Sequence, residues 1–325
     1  MLDYRVRGEE AWVAAVEGIR FSVVIPLYKG APTIERALRS VLTQSCPAQE
    51  IVVVDDGSPD DSAEVVRRFL QSERPGVHPE IRLLQQPNRG AAAARNQGVR
   101  HASGNWIAFL DQDDAWLPSK LERQREAIRE HPASAWCITG FRLHVDGVYR
   151  EAVLPRPDVI AQQHRFRNSF GPSSCLAVRR DAFLAVGGFR EDLGTSCEDW
   201  DLAVRLYRRY PLSIVSEPLV DYHDTSASAS RSGMAMLESE LKLVETLLAG
   251  LTGVKRALAR RQILASMTAR AARNVPPGST SRLLFALKSL WYWPWPSVAG
   301  PRLRLVLAAL RALGHDRWAR WWDGR

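Results

Sequence analysis

"FSVVIPLYKGAPTIERALRSVLTQSCPAQEIVVVDDG", residues 21–57, changes its hydrophobic period twice. Residues 21–27 are continuously apolar and run out at Pro26-Leu27-Tyr28, the pattern of a buried strand that leads into a loop. Apolar residues then recur at helical spacing (Ile34, Leu38, Val41, Leu42), with Pro32 tolerated in a first turn. "EIVVVDDG" is β-branched and uninterrupted, and it stops abruptly in acids and a turn former. Strand, helix and strand in this order predict a parallel pair with its crossover.

The alternation continues outward. "DSAEVVRRFL" predicts a helix with Asp60 or Asp61 as its N-cap, "EIRLLQQ" a third strand, "AAAARNQGVRHA" a helix after "PNRG", and "NWIAFL" a fourth strand. Continuously apolar strands alternating with helices argue for a parallel sheet covered on both faces. Such sheets bind ligands beyond the carboxyl ends of their strands, where the strand order reverses. The chemically unusual residues fall at those ends: Pro26 and Tyr28, Asp55 and Asp56, and Asp111 to Asp114.

After Pro118 the pattern loosens. A helix is expected over 118–131, strands over 133–154 with a turn at Asp146-Gly147, and a short strand and helix over 173–189 ending at Gly187-Gly188. A helix opens at Glu198-Asp199, residues 235–273 read as helical, and 281–325 as amphipathic helix broken by "WPWPSVAGP". Three regions are expected: a helical extension over 1–20, the α/β domain over 21–233, and a helical C-terminal region over 234–325.

A chain of 325 residues with 46% hydrophobic and 25% charged residues is ordinary for a globular protein. No run of 18 apolar residues predicts a membrane-spanning helix, and the first twenty residues lack the apolar stretch of a secretory signal. The four cysteines are scattered without a CxxC pair, so reduced thiols and a cytoplasmic location are expected rather than a metal cluster or disulfides. The net charge of +8 is uneven: residues 234–325 carry 15 Lys+Arg against 5 Asp+Glu, and six of the eleven tryptophans. This region is either a solvated basic face or a surface that meets anionic lipid on the inner membrane face. No nucleic-acid-binding motif accompanies the charge.

Asp111, Asp113 and Asp114 would repel one another, and an Asp-x-Asp turn can aim two carboxylates at one hard cation. The same acids also suit a solvated turn, or a cap by Asp113 or Asp114 on the helix after Pro118. Asp55 and Asp56 suit a turn, or a carboxylate that accepts from a base or ribose, with Tyr28 stacking on the base. Arg95 suits a phosphate contact or a surface ion pair. Glu198 and Asp199 suit the free N–H groups of a helix start, or a general base in Asp199.

"FSVVIPLYKGAPTIERALRSVLTQ", "EIVVVDDGSPDDS", "NRGAAAARNQGVRHASGNWIAFLDQDDAWLP", "RRDAFLAVGGFRED" and "CEDWDLAVRLYRR" occur in that order. Over roughly residues 20–230 the chain resembles the inverting family 2 glycosyltransferases of GT-A fold. The resemblance implies a Rossmann-like mixed sheet flanked by helices, followed here by the basic helical tail. It also implies a nucleotide-sugar donor, UDP by default, a glycan or lipid-linked acceptor, and Mg²⁺ or Mn²⁺. Carried over, Asp113 is the principal metal ligand, Asp111 contacts ribose or supports the metal, and Asp114 lies nearer the sugar. Asp56 binds the base with Asp55 beside it, Pro26 and Tyr28 lie under the base, and Arg95 is on the phosphate side. Asp199 is the catalytic base, flanked by Glu198. A late Arg or His that completes the metal site is matched loosely by His223 or Arg231. Residues 140–175 are expected to shape the acceptor pocket. The QxxRW motif of processive polymer synthases is missing from this sequence.

Three rivals stand beside this reading. A sugar nucleotidyltransferase needs a phosphate-gripping glycine-rich loop, of which "PLYKGAP" is a poor version. A dinucleotide-binding dehydrogenase needs GxGxxG after the first strand, which is absent. A non-catalytic protein would use the basic tail to bind nucleic acid or membrane.

Overall fold

A computed structural model of the chain describes residues 18–72, 79–193, 197–224, 233–275, 278–293, and 305, 306, 308, 309 and 312. The expected 1–20 extension and most of 294–325 lie outside the described residues. The chain packs as two compact units, Met1–Arg156 with Phe170–Glu191 and Arg205–Thr225, and Pro157–Ser169 with Asp192–Val204 and Ser226–Arg325.

The first unit is built on a mixed sheet of nine strands among the described residues. β1 (Phe21–Leu27), β2 (Glu50–Asp55), β3 (Glu80–Gln85) and β4 (Trp106–Phe109) run parallel in the spatial order β3-β2-β1-β4. The chain winds outward from β1 through β3 and returns to the other side of β1, so the order reverses between β1 and β4. Helices α1 (Ile34–Leu42), α2 (Ser62–Ser72) and α3 (Ala91–His101) are the crossovers. Of the two acids expected to cap α2, Asp60 reaches it: its Oδ1 accepts from Ser62 N at 3.3 Å.

Every residue of β1 and β2 is buried, as their unbroken Val/Ile runs require. Burying each such side chain contributes about 1.5–3 kcal/mol. The buried polar residues of these two strands are Ser22, Asp55 and Glu50, the last at the start of β2. Burial alone would raise the Glu50 carboxyl, but hydrogen bonds from Ser22 and Ser103, with Arg82 alongside, hold it below the ordinary range. Gly98 lets α3 approach the sheet closely, since a Cβ there would overlap Val24 Cγ1.

Beyond β4 the pairing turns antiparallel. β5 (Ala115–Trp116) pairs with β9 (Leu212–Asp224), and β8 (Leu176–Arg179) lies between β4 and β6 (Trp136–Val145). β6 runs parallel to β9 and antiparallel to β7 (Val148–Val153). The β6–β7 turn falls at Asp146-Gly147 as expected, with φ of 49° and 79°. Helix α4 (Lys120–Glu130) has Ser119 at its N-cap, so neither Asp113 nor Asp114 caps it. α6 (Arg180–Ala185) ends at Gly187 and Gly188, both at positive φ.

In the second unit α5 (Pro157–Gln163) and the first turns of α7 (Glu198–Arg209) accompany α8 (Gly233–Leu248), α9 (Gly253–Asn274) and α10 (Thr280–Tyr292). The 235–273 stretch is two helices, parted where Gly250 takes a φ of 79° that ends α8. Ala271, Ala272, Val275, Phe285 and Ala286 form its apolar core. Among the described residues no helix is long and apolar enough to cross a membrane.

Candidate active site

The acids at the strand ends separate into two sets with different work. Asp55 and Asp56, at the end of β2, are both buried and committed to the backbone. Asp55 accepts from Ser58 N at 3.0 Å and Gln85 Nε2 at 3.1 Å, around a turn in which Gly57 has a φ of 69°. Asp56 accepts from Gln86 Nε2 and Arg89 N at 2.8 Å and from Gly90 N at 2.7 Å. A carboxylate thereby ties down the loop that enters α3, at the positive end of that helix. Pro26 lies within buried β1, and Tyr28, the first residue past the strand, is 40% exposed with Lys29 Nζ 5.4 Å from its ring centroid.

The loop after β4 carries the second set. Asp111 N donates to Ser174 Oγ at 3.1 Å, and its carboxylate accepts from Arg95 Nη2 at 2.5 Å. Arg95 is buried, with its guanidinium 5.2 Å from the Phe189 ring centroid, so its ion pair is internal rather than on the surface. Asp114 is fully buried. Its Oδ2 accepts from Ser174 Oγ at 2.5 Å and its Oδ1 from His223 N at 3.0 Å. Burial, with repulsion from Asp113 and Asp111, pushes its carboxyl well above the usual range. Asp113 is the acid with least protein compensation. Burial, then the Asp111 charge, push it up to about 6, although Arg36 and Arg95 pull the other way. Arg36 also donates to the Asp113 carbonyl and so holds the turn.

His223 ends β9. Its Nδ1 lies 3.2 Å from the Asp221 carbonyl, and its ring stacks on His144 with centroids 4.9 Å apart. Burial, helped by the positive charges of Arg36 and His144, lowers its pKa. Asp221 itself accepts from Arg142 Nε at 2.6 Å and His144 Nε2 lies 2.8 Å away, contacts that outweigh burial and keep its carboxyl low.

Among the described residues no three His, Cys, Asp or Glu side chains converge as a metal cage, so His223 does not complete a set with Asp111 and Asp113. The donor chemistry of that aspartate pair nevertheless fits a hard cation. Two carboxylates repel in a partly buried turn, and Mg²⁺ or Mn²⁺ takes one or two carboxylates plus phosphate and water oxygens.

Glu198 and Asp199 belong to the second unit, at the start of α7. Glu198 is buried, and Asp199 is half-buried. Asp199 accepts from Trp200 N at 2.6 Å and from Asn168 Nδ2 at 3.0 Å. Arg231 lies outside the described residues.

Sequence reasoning passed over Ser174, Gln112, His144 and Asn168. Ser174 and Asn168 gave no local signal, because their partners lie 60 and 31 residues away. Gln112 stands inside the acid run and was within reach as the residue between two candidate acids.

The family model for glycosyl transferase family 2 matches residues 22–187, just over half of the chain. The putative teichuronic acid biosynthesis glycosyltransferase TuaG of Bacillus subtilis is 34% identical over 161 residues, covering 49% of this chain and 61% of TuaG. The chain thus spans less than two thirds of that relative's length. Among solved structures, S. aureus TarS 1-349 in complex with UDP-GlcNAc superposes with a TM-score of 0.60 at 20% identity, over 91% of this chain and 88% of TarS. The mannosyltransferase PcManGT from Pyrobaculum calidifontis, in complex with GDP-Man and Mn2+, gives 0.51 at 20% identity, over 90% and 87%. At that identity the likeness is one of fold, and it agrees with the expected GT-A sheet and helices.

Proposed function

The chain belongs to glycosyl transferase family 2, and from that premise we propose that it moves a sugar from a nucleoside-diphosphate sugar to an acceptor hydroxyl, with inversion. The donor we propose is a UDP-sugar, in keeping with the UDP-GlcNAc bound by its structural neighbour. The acceptor we propose is a glycan or lipid-linked glycan, as in surface polysaccharide or glycoconjugate synthesis. The carrying observation is the loop Asp111–Asp114, set where the strand order reverses, with Asp113 pushed up to about 6 by burial and by the neighbouring Asp111 charge.

In this reading Asp111 and Asp113 hold Mg²⁺ or Mn²⁺, which when bound offsets charge on the departing nucleoside diphosphate. Asp114 is the buried strut that keeps the loop in shape through Ser174 and His223. Arg95 orients Asp111 by their ion pair. Tyr28 is the exposed ring on which a base stacks, and Asp56 fixes the 86–90 loop beside it. Asp199 takes the proton of the acceptor hydroxyl as its oxygen bonds to the anomeric carbon and the bond to the diphosphate breaks. Glu198 supports Asp199 from the neighbouring position.

The C-terminal helices supply the second part of the proposal, peripheral attachment to an anionic membrane. Val254 and Leu258 lie on one face of α9 and Leu284, Leu287 and Trp291 on one face of α10, and all five are exposed. Lys255, Arg260, Arg261 and Lys288 are exposed on the same two helices. An apolar stripe with Trp and flanking cations suits the headgroup region of acidic lipid.

Melting temperature tests the donor site. UDP, GDP, dTDP and CDP are each added with Mn²⁺ or with EDTA, to the wild type and to Asp113→Ala. At about 100 times its dissociation constant a ligand adds about 2.7 kcal/mol. One nucleotide is expected to stabilise the wild type only with metal, and not Asp113→Ala. No shift with any nucleotide diphosphate overturns the transferase reading.

A further inference from the structure

Asp199 is oriented by a short segment whose own anchorage lies in the C-terminal helices. Asn168 Nδ2 donates to Asp199 Oδ2 at 3.0 Å. The segment before Asn168 is fastened at three successive residues. Trp200 Nε1 donates to the His164 carbonyl at 2.7 Å, Arg165 donates to the Leu247 carbonyl at the end of α8, and Arg270 of α9 donates to the Phe166 carbonyl. The Arg270 guanidinium also lies 5.4 Å from the Trp200 ring centroid, and its Nε pairs with Glu240 Oε1 of α8 at 2.7 Å.

Glu240 is 1% exposed and its partner is largely covered. A buried ion pair of this kind does little for stability compared with an apolar pair of similar volume, because desolvation offsets the attraction. What the pair does provide is a guanidinium fixed in direction. Arg270 presents Nε to Glu240 and Nη1 to the Phe166 carbonyl, and its guanidinium lies over the ring of Trp200, the residue after Asp199. A planar fork can meet all three at once, where an ammonium cannot.

We propose that Arg270, acting through the 164–168 segment and Asn168, is a positioning residue for Asp199, so that helices α8 and α9 set the carboxylate that receives the acceptor proton. The inference rests on the reading of Asp199 as the base. It gives the C-terminal region a part in the reaction that is separate from any attachment to a membrane.

The test uses the full chain and two readouts. One is the titration of the Asp199 carboxylate followed by carbon-13 NMR. The other is the pH profile of UDP-GlcNAc hydrolysis, in which water takes the place of the acceptor. Asn168→Ala removes a hydrogen bond that favours the ionised carboxylate, so the Asp199 titration and the acid limb of the profile are both expected to move to higher pH. Arg270→Met alone strands Glu240 and can unfold the unit. The double variant Glu240→Leu with Arg270→Met therefore replaces the pair by apolar side chains of similar volume. It is expected to keep the fold, move Asp199 in the same direction and lower kcat about tenfold with KM for the donor unchanged. Arg270→Lys is expected to behave like the double variant. A wild-type Asp199 titration in both Asn168→Ala and the double variant overturns the proposal. Asp199→Asn separates the two levels. If it keeps wild-type turnover the base reading itself fails. If it loses turnover while Asn168→Ala and the double variant match the wild type, only the positioning role fails.

Discussion

Gln112 grips Tyr28 by both of its backbone polar groups: Tyr28 N donates to Gln112 Oε1 at 2.6 Å, and Gln112 Nε2 donates to the Tyr28 carbonyl at 2.7 Å. The residue between the two proposed metal-binding aspartates is thus clipped to the ring proposed to carry the base. The clip is tight enough that a Cβ on Gly30 would come within 2.5 Å of Gln112 Oε1. Gln112→Ala removes two hydrogen bonds worth about 0.5–1.5 kcal/mol each. Affinity for UDP with Mn²⁺ is expected to fall about tenfold by calorimetry, and an unchanged affinity would detach the clip from donor binding.

Asp114 serves the same loop from inside. Asp114→Ala would take the acceptor from both the Ser174 hydroxyl and the His223 N–H. Each orphaned donor costs about 1–3 kcal/mol, so a loss of about 2–6 kcal/mol is expected in urea unfolding. Asp114→Asn keeps one acceptor and should lose less. Equal stability of Asp114→Ala and the wild type would show that the strut carries no load.

At Gly98 α3 lies close against the sheet, over Val24. Gly98→Ala forces a methyl against Val24 and is expected to cost about 1–3 kcal/mol, more than the helix propensity of alanine returns. Adding Val24→Ala should recover part of that loss despite its own cavity. Strict additivity in the double-mutant cycle would mean that the two positions do not meet.

Lys120, the first residue of α4, is fully buried, and its Nζ has no hydrogen-bond partner among the described residues. It lies 3.7 Å from the Trp116 ring centroid, and burial pushes its pKa down to about 7. Above that pH the folded chain holds the amine neutral while the unfolded chain, with the ordinary value near 10.4, still binds the proton. The unfolded state then carries more protons, so stability rises with pH from about 7, by at most about 1.4 kcal/mol per unit. Burial of the Cys137 and Cys175 thiols, pushed up to about 12, opposes this above about pH 9. Urea midpoints at pH 7, 7.5, 8 and 8.5 should climb in the wild type and climb less in Lys120→Met. Parallel slopes would refute a neutral buried amine.

Membrane attachment is tested by co-sedimentation with vesicles of phosphatidylglycerol or of phosphatidylcholine. The wild type is expected to bind the anionic vesicles, more weakly as salt is added. Trp291→Ala combined with Lys255→Glu and Lys288→Glu should bind much less. Equal recovery with both lipids would remove the anionic surface as a partner.

The first four strands were legible because a parallel sheet leaves an unbroken apolar run at each strand and a helical period at each crossover. The Asp146-Gly147 hairpin was legible from its turn residues alone. The division of labour among the acids was not. "DQDD" says nothing about which carboxylate turns inward, and Asp114 does so because Ser174 and His223, 60 and 109 residues further on, meet it there. Arg95 reads equally as a phosphate contact or a surface pair, and the fold removes the second by burying it against Phe189 and Asp111. Asn168 and Arg270 carry no periodic or motif signal, since each matters through one carboxylate or one carbonyl.

The pairing of β5 with β9 has a consequence for the order in which the molecule matures. During synthesis β1 to β4 emerge with all their crossovers, and such neighbours can find one another early. The acid loop is then still unfinished. Asp114 waits for His223, which leaves the ribosome more than a hundred residues later, and loops of that length close slowly. Chemical competence therefore arrives last, after most of the scaffold exists. In pulse-labelled refolding the His223 amide should gain protection after those of β1 and β2, so a newly made chain reaches its shape before it can carry out the proposed transfer.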